Sequence, residues 1–339
     1  MAAATVLPGP ALSQGRPPLS RIAFGSCANQ AMGQPIWEAV LSYRPDLFLF
    51  CGDNVYGDFN SSEAGNLKEA YAAAGKIAGY SKLRDSVSHL AVWDDHDYGL
   101  NDGGAEFPHK AVSKELFLDF WNAPASDIRR QREGIYDSRI IGPPGMRVQV
   151  ILLDVRWFRS PLKPTDQRGA PGKERYLPDP DPAKTMLGAA QWAWLAEELR
   201  KPAELRLLVS STQVLAEGHG WERWGNMPLE KQKLIDTIRA SGAKGVVLLS
   251  GDRHVGALYR ETPADLYPLY EITSSGLNMV YWAAKEAGPN RLGALYAAAN
   301  FGVVDVDWWE RRLVLALRDD GGNVRRSATI AFDEIGLTG

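Results

Sequence analysis

The feature that most constrains the fold is a series of short apolar runs, each of which ends in a cluster of polar residues. The runs are "SRIAFGSC", "DLFLFCGD", "SHLAVWDD" and "KGVVLLSGD". Two segments with helical periodicity, "QPIWEAVLSYRP" and "NLKEAYAAAGKIAGYSKLRDS", lie between the first three runs. Because buried strands alternate here with helices, the pattern predicts parallel strand pairing with right-handed crossovers.

The rest of the chain continues this pattern and then changes to antiparallel strands. Further helices are predicted at "HKAVSKELFLDFW", "AAQWAWLAEELR" and "LEKQKLIDTIRAS", and further strands at "IYDSRII", "RVQVILLD" and "LRLLVSST". Near the end, "FGVVDVDW", "RRLVLALRD" and "SATIAFDE" alternate as antiparallel strands do, with the turn "DDGGN" before the last. A long loop from about Arg159 to Thr185 is dense in Pro and charge, which is typical of a functional loop.

The first residues differ from the rest of the chain. The segment "MAAATVLPGPALSQGRPPLS" is rich in Ala, Pro, Gly and Ser, and it lacks the basic start and the apolar core of an intact signal peptide. No internal repeat or linker follows it. We therefore expect a flexible leader over residues 1–19 and a single domain over residues 20–339, and the fold class is predicted to be α/β with two sheets.

Composition and charge exclude several classes of protein. With 45% hydrophobic and 23% charged residues, the chain is typical of soluble globular proteins. No apolar run approaches the roughly 20 residues that span a bilayer. A net charge of -3 and a pI near 6.0 argue against an extended nucleic-acid groove. A small anionic substrate fits, because metal ions or a few arginines supply local positive charge. Composition indicates no oligomeric state.

The polar clusters at the strand ends bring chemically reactive side chains together. Ligands bind beyond the carboxyl ends of parallel strands, so we expect these side chains to gather at one end of one sheet. Three acids beside a histidine repel one another unless water or cations offset their charge. The clusters therefore predict a metal site. Its candidate members are Cys27, Asp53, Tyr56, Asp94, Asp95, His96, Asp97, Asp252 and His254.

Each member also has a purely structural interpretation. Cys27 alone is more often a small buried residue than a ligand, and a disulfide with Cys51 is a further alternative. The run of acids is compatible with a solvated turn, and Asp53 or Asp252 alone is common turn chemistry. His254 alone is compatible with a core histidine. The combination is rarer than its parts, which favours the metal site.

The order of these motifs resembles the PhoD family of alkaline phosphatases in the metallophosphoesterase superfamily. The resemblance runs from about Arg21 to near the C-terminus and rests on "FGSC", "GDNVY", "WDDHD", "DVRWFRSPL", "GDRH" and "EITSSGLN". Cys27, Tyr56, Asp95 and Asp252 depart from the general superfamily pattern as PhoD enzymes do. The resemblance implies a metallophosphoesterase-type sandwich of two mixed sheets flanked by helices, and a metallophosphatase catalytic domain over residues 20–339.

The resemblance also implies a pair of metals. Thiolate and phenolate ligands suit a strongly Lewis-acidic Fe³⁺, whereas a carboxylate-rich half suits Ca²⁺. We therefore expect one Fe³⁺ and one or more Ca²⁺. By matching motifs, Cys27, Tyr56 and His254 would hold iron, Asp53 would bridge, Asp95 and Asp252 would hold calcium, and Asp94 would join either shell.

Catalytic roles follow from the same resemblance. His96 would donate a hydrogen bond or a proton at the phosphate and its leaving oxygen, and Asp97 would orient His96. Arg156 is a candidate clamp on phosphate oxygens, with a salt bridge to Asp154 or a surface acid as its alternative. His219 matches the lone histidine of the superfamily, in a glycine-rich context that fits a loop equally well.

The implied activity is hydrolysis of phosphate mono- or diesters by a metal-bound hydroxide, as in an alkaline phosphatase or phosphodiesterase. The absence of a G-x-S-x-G motif agrees with this expectation. One alternative is a cysteine hydrolase with Cys27 as nucleophile and His96 or His254 as base. Another is a phosphate- or metal-binding module without turnover. Because calcium is abundant outside the cytoplasm, a calcium-dependent site favours a periplasmic or secreted protein.

Overall fold

The start of the described chain already belongs to the folded core. The computed structural model describes residues 17–338, so residues 1–16 of the expected leader lie outside the described part. Leu19 is buried, and its carbonyl oxygen accepts a hydrogen bond of 2.9 Å from Nε1 of Trp308. Leu19, the last residue of the expected leader, therefore contributes to the core.

Strands and helices alternate through the first two thirds of the chain. The strands are β1 (Arg21–Gly25), β2 (Leu47–Cys51), β3 (His89–Val92), β4 (Asp137–Ile141), β5 (Val148–Leu152), β6 (Lys163–Pro164), β7 (Tyr176–Leu177), β8 (Leu205–Ser210), β9 (Val246–Ser250), β10 (Gly256–Glu261), β11 (Leu269–Ser274), β12 (Phe301–Asp307), β13 (Arg312–Arg318) and β14 (Val324–Ala331). The helices are α1 (Ile36–Tyr43), α2 (Gly65–Ala74), α3 (Ala78–Ser86), α4 (Asp95–Tyr98), α5 (Lys110–Phe120), α6 (Ile128–Gln131), α7 (Gly188–Glu198) and α8 (Pro228–Ser241).

The first sheet combines the beginning and the end of the chain. Its six strands have the order β14-β13-β12-β1-β2-β3. As the alternation with helices predicts, β1, β2 and β3 pair in parallel. The three C-terminal strands are antiparallel, as predicted, and β12 joins the sheet by pairing with β1.

The second sheet is formed by the middle of the chain, in the order β10-β11-β9-β8-β5-β4. Its four central strands are parallel, and β4 and β10 pair antiparallel at its two edges. The expectation that all four polar clusters share one sheet is wrong. The strand β9, which leads to Asp252 and His254, lies in this second sheet, whereas β1, β2 and β3 lie in the first.

The two sheets pack face to face, and the alternation of side chains along β9 shows what each face of the second sheet packs against. In β9, Val247 and Leu249 join a core that also contains Phe24 and Leu49 of the first sheet. Leu248, between them in sequence, belongs to a separate core with Leu195 of α7 and Leu234 of α8. Successive strand residues point to opposite faces, so the second sheet buries one face against the first sheet and the other against helices. The expected sandwich flanked by helices is confirmed.

The sheets also touch at the ends of their strands. Ser26, just after β1, forms a parallel bridge with Ser275, just after β11. Beyond it, the backbone N–H of Leu277 donates to the carbonyl of Ser26, at 3.1 Å, and that of Met279 donates to Cys27, at 3.2 Å. We call this junction of Ser26, Cys27 and residues 275–279 the seam. It brings the carboxyl ends of the central strands of both sheets together.

Three local features differ from the sequence prediction. The helix expected between the second and third strands is two helices, α2 and α3, because the chain turns at Gly75 to Ile77. The acidic run forms the short helix α4, whose N-cap is Asp94. The loop from Arg159 to Thr185 carries the small β6–β7 hairpin. Within residues 17–338, no helix is both long and apolar enough to cross a membrane.

Candidate metal centre and active site

One group of potential metal ligands lies where β1, β2 and β9 end. Ligand atoms of Cys27, Asp53 and His254 all lie within 4.8 Å of one another. The hydroxyl of Tyr56 donates to Oδ2 of Asp53, at 3.2 Å, and lies 3.1 Å from Nε2 of His254. The thiol of Cys27 donates to the same carboxylate oxygen, at 3.4 Å. The four side chains that the sequence singles out at these three strand ends therefore converge on one point.

A second group is made of carboxylates only. Ligand atoms of Asp94, Asp95 and Asp252 also lie within 4.8 Å of one another. Within residues 17–338, Oδ2 of Asp94 and Oδ1 of Asp95 are buried and have no hydrogen-bond partner. Buried carboxylate oxygens normally accept hydrogen bonds or bind cations. Because Asp53 also lies within 4.8 Å of Asp95 and His96, the two groups are neighbours.

The ligand positions share an unusual backbone conformation. Cys27, Asp53, Asp252 and His254 all have positive φ angles, between 48° and 66°. Side chains larger than glycine seldom occupy this left-handed region, and residues that do so are common at functional sites. Each sharp turn directs the side chain that follows a strand back over the strand ends, so the conformation itself supports the assignment of a site.

His96 stands at the edge of this cluster, and Asp58 orients it. Its Nδ1 lies 2.7 Å from Oδ2 of Asp58, and its ring packs against the ring of Tyr56 with centroids 4.3 Å apart. Asp58 therefore accepts a hydrogen bond from Nδ1 and directs the other nitrogen, Nε2, away from itself. The prediction that Asp97 orients this imidazole is wrong, because a different carboxylate occupies that place.

Asp97 instead fixes the backbone beneath the ligands. It is fully buried, and it accepts hydrogen bonds from the backbone N–H of Asp94, at 2.6 Å, and of Asp53, at 3.2 Å. Its other oxygen accepts from the side-chain amide of Asn54, at 2.5 Å. As the third residue of α4, Asp97 closes a capping box with Asp94, which turns its side chain away from His96. Asp97 therefore positions two ligand residues.

Arg156 is paired with acids and does not line the open pocket. Its side chain is fully buried, and Nε donates to Oδ1 of Asp94, at 2.6 Å. Its Nη1 donates to both oxygens of Glu222, at 2.9 and 2.7 Å. Arg156 thus forms salt bridges, but with the buried acids Asp94 and Glu222 and with neither Asp154 nor a surface acid, which its alternative named. In this arrangement the guanidinium faces a carboxylate of the cluster.

A pocket of about 240 Å³ opens onto the cluster. Its floor contains Asp53, Asp95, Asp252 and the two histidines His96 and His254. Its wall and mouth are formed by Asn101, Asp102, Arg175, Trp221, Glu222, Arg253, Val280 and Tyr281. The long loop after Arg159 contributes Arg175, and the loop after His219 contributes Trp221 and Glu222.

The comparisons with known proteins agree with this geometry. The family model of the PhoD-like phosphatases matches residues 22–283. The chain belongs to the PhoD-like phosphatase family. The resemblance read from the motifs is therefore confirmed, and the matched region includes every predicted ligand of this PhoD-like chain.

Relatives of this PhoD-like chain extend the comparison. Alkaline phosphatase D of Bacillus subtilis (strain 168) is 22% identical over an alignment of 295 positions, which covers 76% of this chain and 49% of that protein. The chain thus spans about half the length of this curated relative. A solved structure of PhoD matches 95% of this chain and 70% of its own, with a TM-score of 0.70 and 17% identity.

Two more distant structures share the fold of this PhoD-like chain. Purple acid phosphatase PPD1 from yellow lupin (Lupinus luteus) seeds has a TM-score of 0.60 at 12% identity, over 97% of this chain and 56% of its own. GAP50, the anchor in the inner membrane complex of Plasmodium, has a TM-score of 0.59 at 12% identity, over 94% of this chain and 91% of its own. Together with PhoD, these neighbours confirm the metallophosphoesterase-like sandwich.

Burial and like charge shift the pKa values in this PhoD-like site. Burial raises the pKa of Asp53 well above its usual value, and the charge of Asp95 raises it further. Burial and Asp94 do the same to Asp252. Burial also raises the pKa of the Cys27 thiol to about 12 and that of Tyr56 well above its usual value. A bound cation opposes all of these shifts, because it stabilises the anionic form of each side chain.

The donor set therefore fits metal ions. The unpartnered oxygens of Asp94 and Asp95 supply free ligand positions, and the crowded acids need positive charge. His96 differs from the other groups. Burial lowers its pKa, but the carboxylates of Asp53 and Asp95 raise it to about 10.

Sequence reasoning missed several residues of the site. Asp58 lies two positions after Tyr56, and Arg253 lies between two predicted ligands in "GDRH", so adjacency to known motifs was a usable signal for both. Arg175 and Trp221 lie in loops without a periodic pattern, and Tyr281 follows the seam; only the fold brings these three to the pocket. The predicted candidate His219 is buried and does not line the pocket; its Nε2 donates to Oε1 of Gln213, at 3.0 Å.

Proposed function

We propose that this chain is a metal-dependent phosphoesterase of the alkaline phosphatase D type, which hydrolyses small phosphate mono- or diesters. The observation that carries the proposal is the cluster of buried acids, with unpartnered oxygens on Asp94 and Asp95, at the floor of an open pocket beside His96. Membership of the PhoD-like phosphatase family supports the same reaction.

We further propose that the metals are Fe³⁺ and Ca²⁺. Cys27, Tyr56 and His254 would hold the iron, Asp53 would bridge, and Asp95 and Asp252 would hold calcium, with Asp94 beside them. Softer and anionic donors gather in the first group and hard oxygens in the second, which matches the preferences of the two ions. When bound, the metals supply Lewis acidity toward the phosphoryl oxygens and the attacking water.

The protein's own residues then bind and orient the substrate. His96 lines the pocket with Nδ1 fixed by Asp58, so Nε2 is the atom that donates a hydrogen bond or a proton at the leaving oxygen. Asp97 and Asn54 hold the backbone of Asp53 and Asp94 and thereby keep the floor rigid. The reacting phosphoryl group would lie between the carboxylates of this floor and His96.

The cysteine hydrolase is disfavoured by the surroundings of Cys27. The thiol is fully buried and donates to Asp53, and it does not line the pocket. Reactive cysteines have lowered pKa values, whereas burial raises that of Cys27 to about 12. The disulfide alternative is wrong, because Cys27 and Cys51 are both free.

The deciding experiment combines elemental analysis with turnover of aryl phosphate mono- and diesters. We expect iron and calcium in the purified protein and a reversible loss of activity when calcium is chelated. His96→Ala should retain both metals and lose about 10²-fold or more in kcat. His109→Ala, which alters a histidine outside the pocket, is the matched control and should keep both metals and kcat.

Two outcomes would contradict the proposal. Full activity after thorough removal of all metals would exclude a metal-dependent reaction. Bound metals and bound phosphate without turnover of either ester would favour the binding module. Loss of iron in His96→Ala would contradict the assignment of His96 to the substrate.

The iron assignment has a spectroscopic test of its own. Phenolate and thiolate donors transfer charge to Fe³⁺, so the protein should be coloured and should bleach on reduction. Tyr56→Phe should shift or erase the visible band, and Cys27→Ser should weaken iron binding, because a serine hydroxyl is a poor anionic ligand near neutral pH. A colourless, iron-free and fully active protein would overturn this metal assignment.

We also propose that residues 20–339 act as one catalytic domain and that the protein is periplasmic or secreted. Support for the first proposal is that β1 and β12 pair in one sheet, so the two ends of this region share a fold. The second proposal rests on the expected need for calcium. Fractionation of the native cells tests the second proposal, which expects the protein in the periplasmic or extracellular fraction.

A further inference from the structure

Two arginines line the mouth of the pocket, and neither has a role in the arguments above. Arg175 lies in the long loop after Arg159, and Arg253 lies between Asp252 and His254. The side chain of Arg253 is 7% exposed and that of Arg175 is 31% exposed. The pocket thus has a carboxylate floor and a guanidinium-bearing mouth.

Both guanidinium groups are held in place from behind. Arg253 forms a buried salt bridge of 2.9 Å with Glu286, and Arg175 pairs with Asp102, which also accepts a hydrogen bond of 2.7 Å from Tyr176. Each of these acids occupies only part of its guanidinium. Each guanidinium is therefore held in place by one acid and keeps other N–H groups that can donate to a ligand.

Trp221 contacts both arginines and fixes their spacing. The guanidinium carbon of Arg253 lies 4.8 Å from the centroid of its ring, and that of Arg175 lies 5.2 Å from it. Contacts of this kind between a guanidinium and an indole ring are favourable. Tyr281 packs edge-on against the same ring, with centroids 6.1 Å apart. We call Arg175, Trp221 and Arg253 the mouth cluster.

Arg253 has a donor to spare. Within residues 17–338, its Nε is buried and has no hydrogen-bond partner. A buried N–H of a charged group without a partner is costly, and a charged ligand removes that cost. Arg156 differs in position, since it does not line the pocket and its Nε and Nη1 donate to Asp94 and Glu222. The anion-binding role expected of Arg156 fits the mouth cluster better.

We propose that Arg253 and Arg175 bind the terminal oxygens of the substrate's phosphoryl group and that they favour dianionic monoesters over monoanionic diesters. This inference rests on the proposed function. A monoester dianion offers three terminal oxygens and a diester anion offers two, so the monoester brings one more acceptor and one more negative charge to the two guanidinium groups. Trp221 and Tyr281 line the same pocket beside the two arginines.

The test removes each arginine and measures phosphate binding directly. Arg253→Gln is combined with Glu286→Gln, so that no buried acid is left unpaired, and Arg175→Gln is made alone. The matched control is Arg129→Gln with Asp127→Asn, which removes a similarly enclosed pair that lies in a different cleft. Calorimetry with inorganic phosphate and the metal-loaded protein gives Kd, and aryl phosphate mono- and diesters give kcat and KM.

The expected results separate this inference from the proposed function. In both arginine variants, Kd for phosphate and KM for the monoester should rise about 10-fold or more, whereas kcat should change less, because the contacts form in the ground state as well. The ratio of kcat/KM for monoester over diester should fall, and the control should match the wild type. Every variant should keep its metals.

Three outcomes decide the matter. An unchanged phosphate Kd in both arginine variants would overturn the inference, even if wild-type turnover supports the proposed function. A wild-type preference for the diester would overturn the monoester selectivity. Phosphate binding that depends on Arg253, in a protein that turns over neither ester, would support the clamp and reject the proposed function.

Discussion

At the scale of single residues, the proposed metal centre is made from backbone conformations that the sequence does not display. Cys27, Asp53, Asp252 and His254 adopt left-handed backbone angles, and each such residue costs on the order of 1–3 kcal/mol. The residue types were predictable because thiol, carboxylate and imidazole groups follow apolar runs. The strain was not predictable, because it is maintained by packing against residues far away in sequence.

His219 gives a prediction about pH and stability. It is 2% exposed, and burial, followed by the charge of Arg253, lowers its pKa well below the usual value. Below about pH 6.5 the unfolded chain therefore binds a proton that the folded chain does not bind. The free energy of unfolding should fall with decreasing pH, and this residue contributes up to about 1.4 kcal/mol per pH unit.

The comparison that isolates this contribution is His219→Gln, which retains a side chain able to pair with Gln213. Urea unfolding at several values between pH 7 and pH 5 should show a shallower dependence on pH for the variant than for the wild type. Equal slopes for the two proteins would show that His219 is protonated in the folded state as well.

At the scale of secondary-structure elements, the seam between the two sheets controls the site. Gly251 follows β9 at this point. A methyl group added there would overlap Oγ of Ser26 and would lie 2.8 Å from its Cβ and 3.0 Å from the carbonyl oxygen of Cys51. The second sheet thus approaches the first as closely as a glycine allows, with the ligand Asp252 next in the chain.

Gly251→Ala should therefore push the ends of β9 and β1 apart. We expect a loss of about 1–3 kcal/mol in the free energy of unfolding, as for overpacked cores, together with weaker metal retention. Gly33→Ala is the matched control, because nothing lies within 4 Å of the added methyl group there. Denaturant unfolding and elemental analysis check both variants. A Gly251→Ala protein with unchanged stability and metal content would show that the seam is pliable.

The same seam explains where the sequence prediction succeeded and where it failed. Apolar runs and helical periodicity are local signals, and they located β1, β2, β3 and β9 correctly. Sheet membership is not local. All four runs are similarly apolar, so nothing within β9 distinguishes a strand of the second sheet from a strand of the first. The ligands were predicted to converge, and they do, but across two sheets.

Side-chain partners were the least predictable part of the site. Adjacency suggested that Asp97 orients His96, but the turn of α4 points Asp97 inward and leaves Asp58 to do so. Arg156 was placed near the phosphate because it follows a strand, yet burial beside Asp94 gives it a salt bridge. Orientation depends on the turn after each strand, which composition and spacing do not specify.

At the scale of the whole molecule, the buried acids couple metal binding to stability. Asp53, Asp94, Asp95 and Asp252 crowd one end of the sandwich. Ions that bind only the folded chain stabilise it, by about 4 kcal/mol at a thousand times their Kd. Chelation should therefore lower Tm, and restored metal should return it.

The substitution Asp252→Asn tests whether this coupling between metal binding and stability depends on one carboxylate. It should raise Tm of the chelated protein, because one repelling charge is gone, and lower Tm of the metal-loaded protein, because one ligand is gone. Asp320→Asn removes the same charge from an exposed turn and should shift neither value. If Asp252→Asn lowers Tm of the chelated protein as well as that of the metal-loaded protein, the carboxylate stabilises the fold without a cation.

The placement of the ligands also has a consequence for biosynthesis. The ribosome completes Cys27, Asp53 and the acidic helix α4 long before it reaches Asp252 and His254. The sheet that carries the early ligands is closed later still, when β12 pairs with β1. A nascent chain therefore holds only half of a metal centre, on an unfinished sheet. The full set of candidate ligands can therefore meet only after β9 and β12 have both been synthesised, in whichever compartment the protein finishes folding.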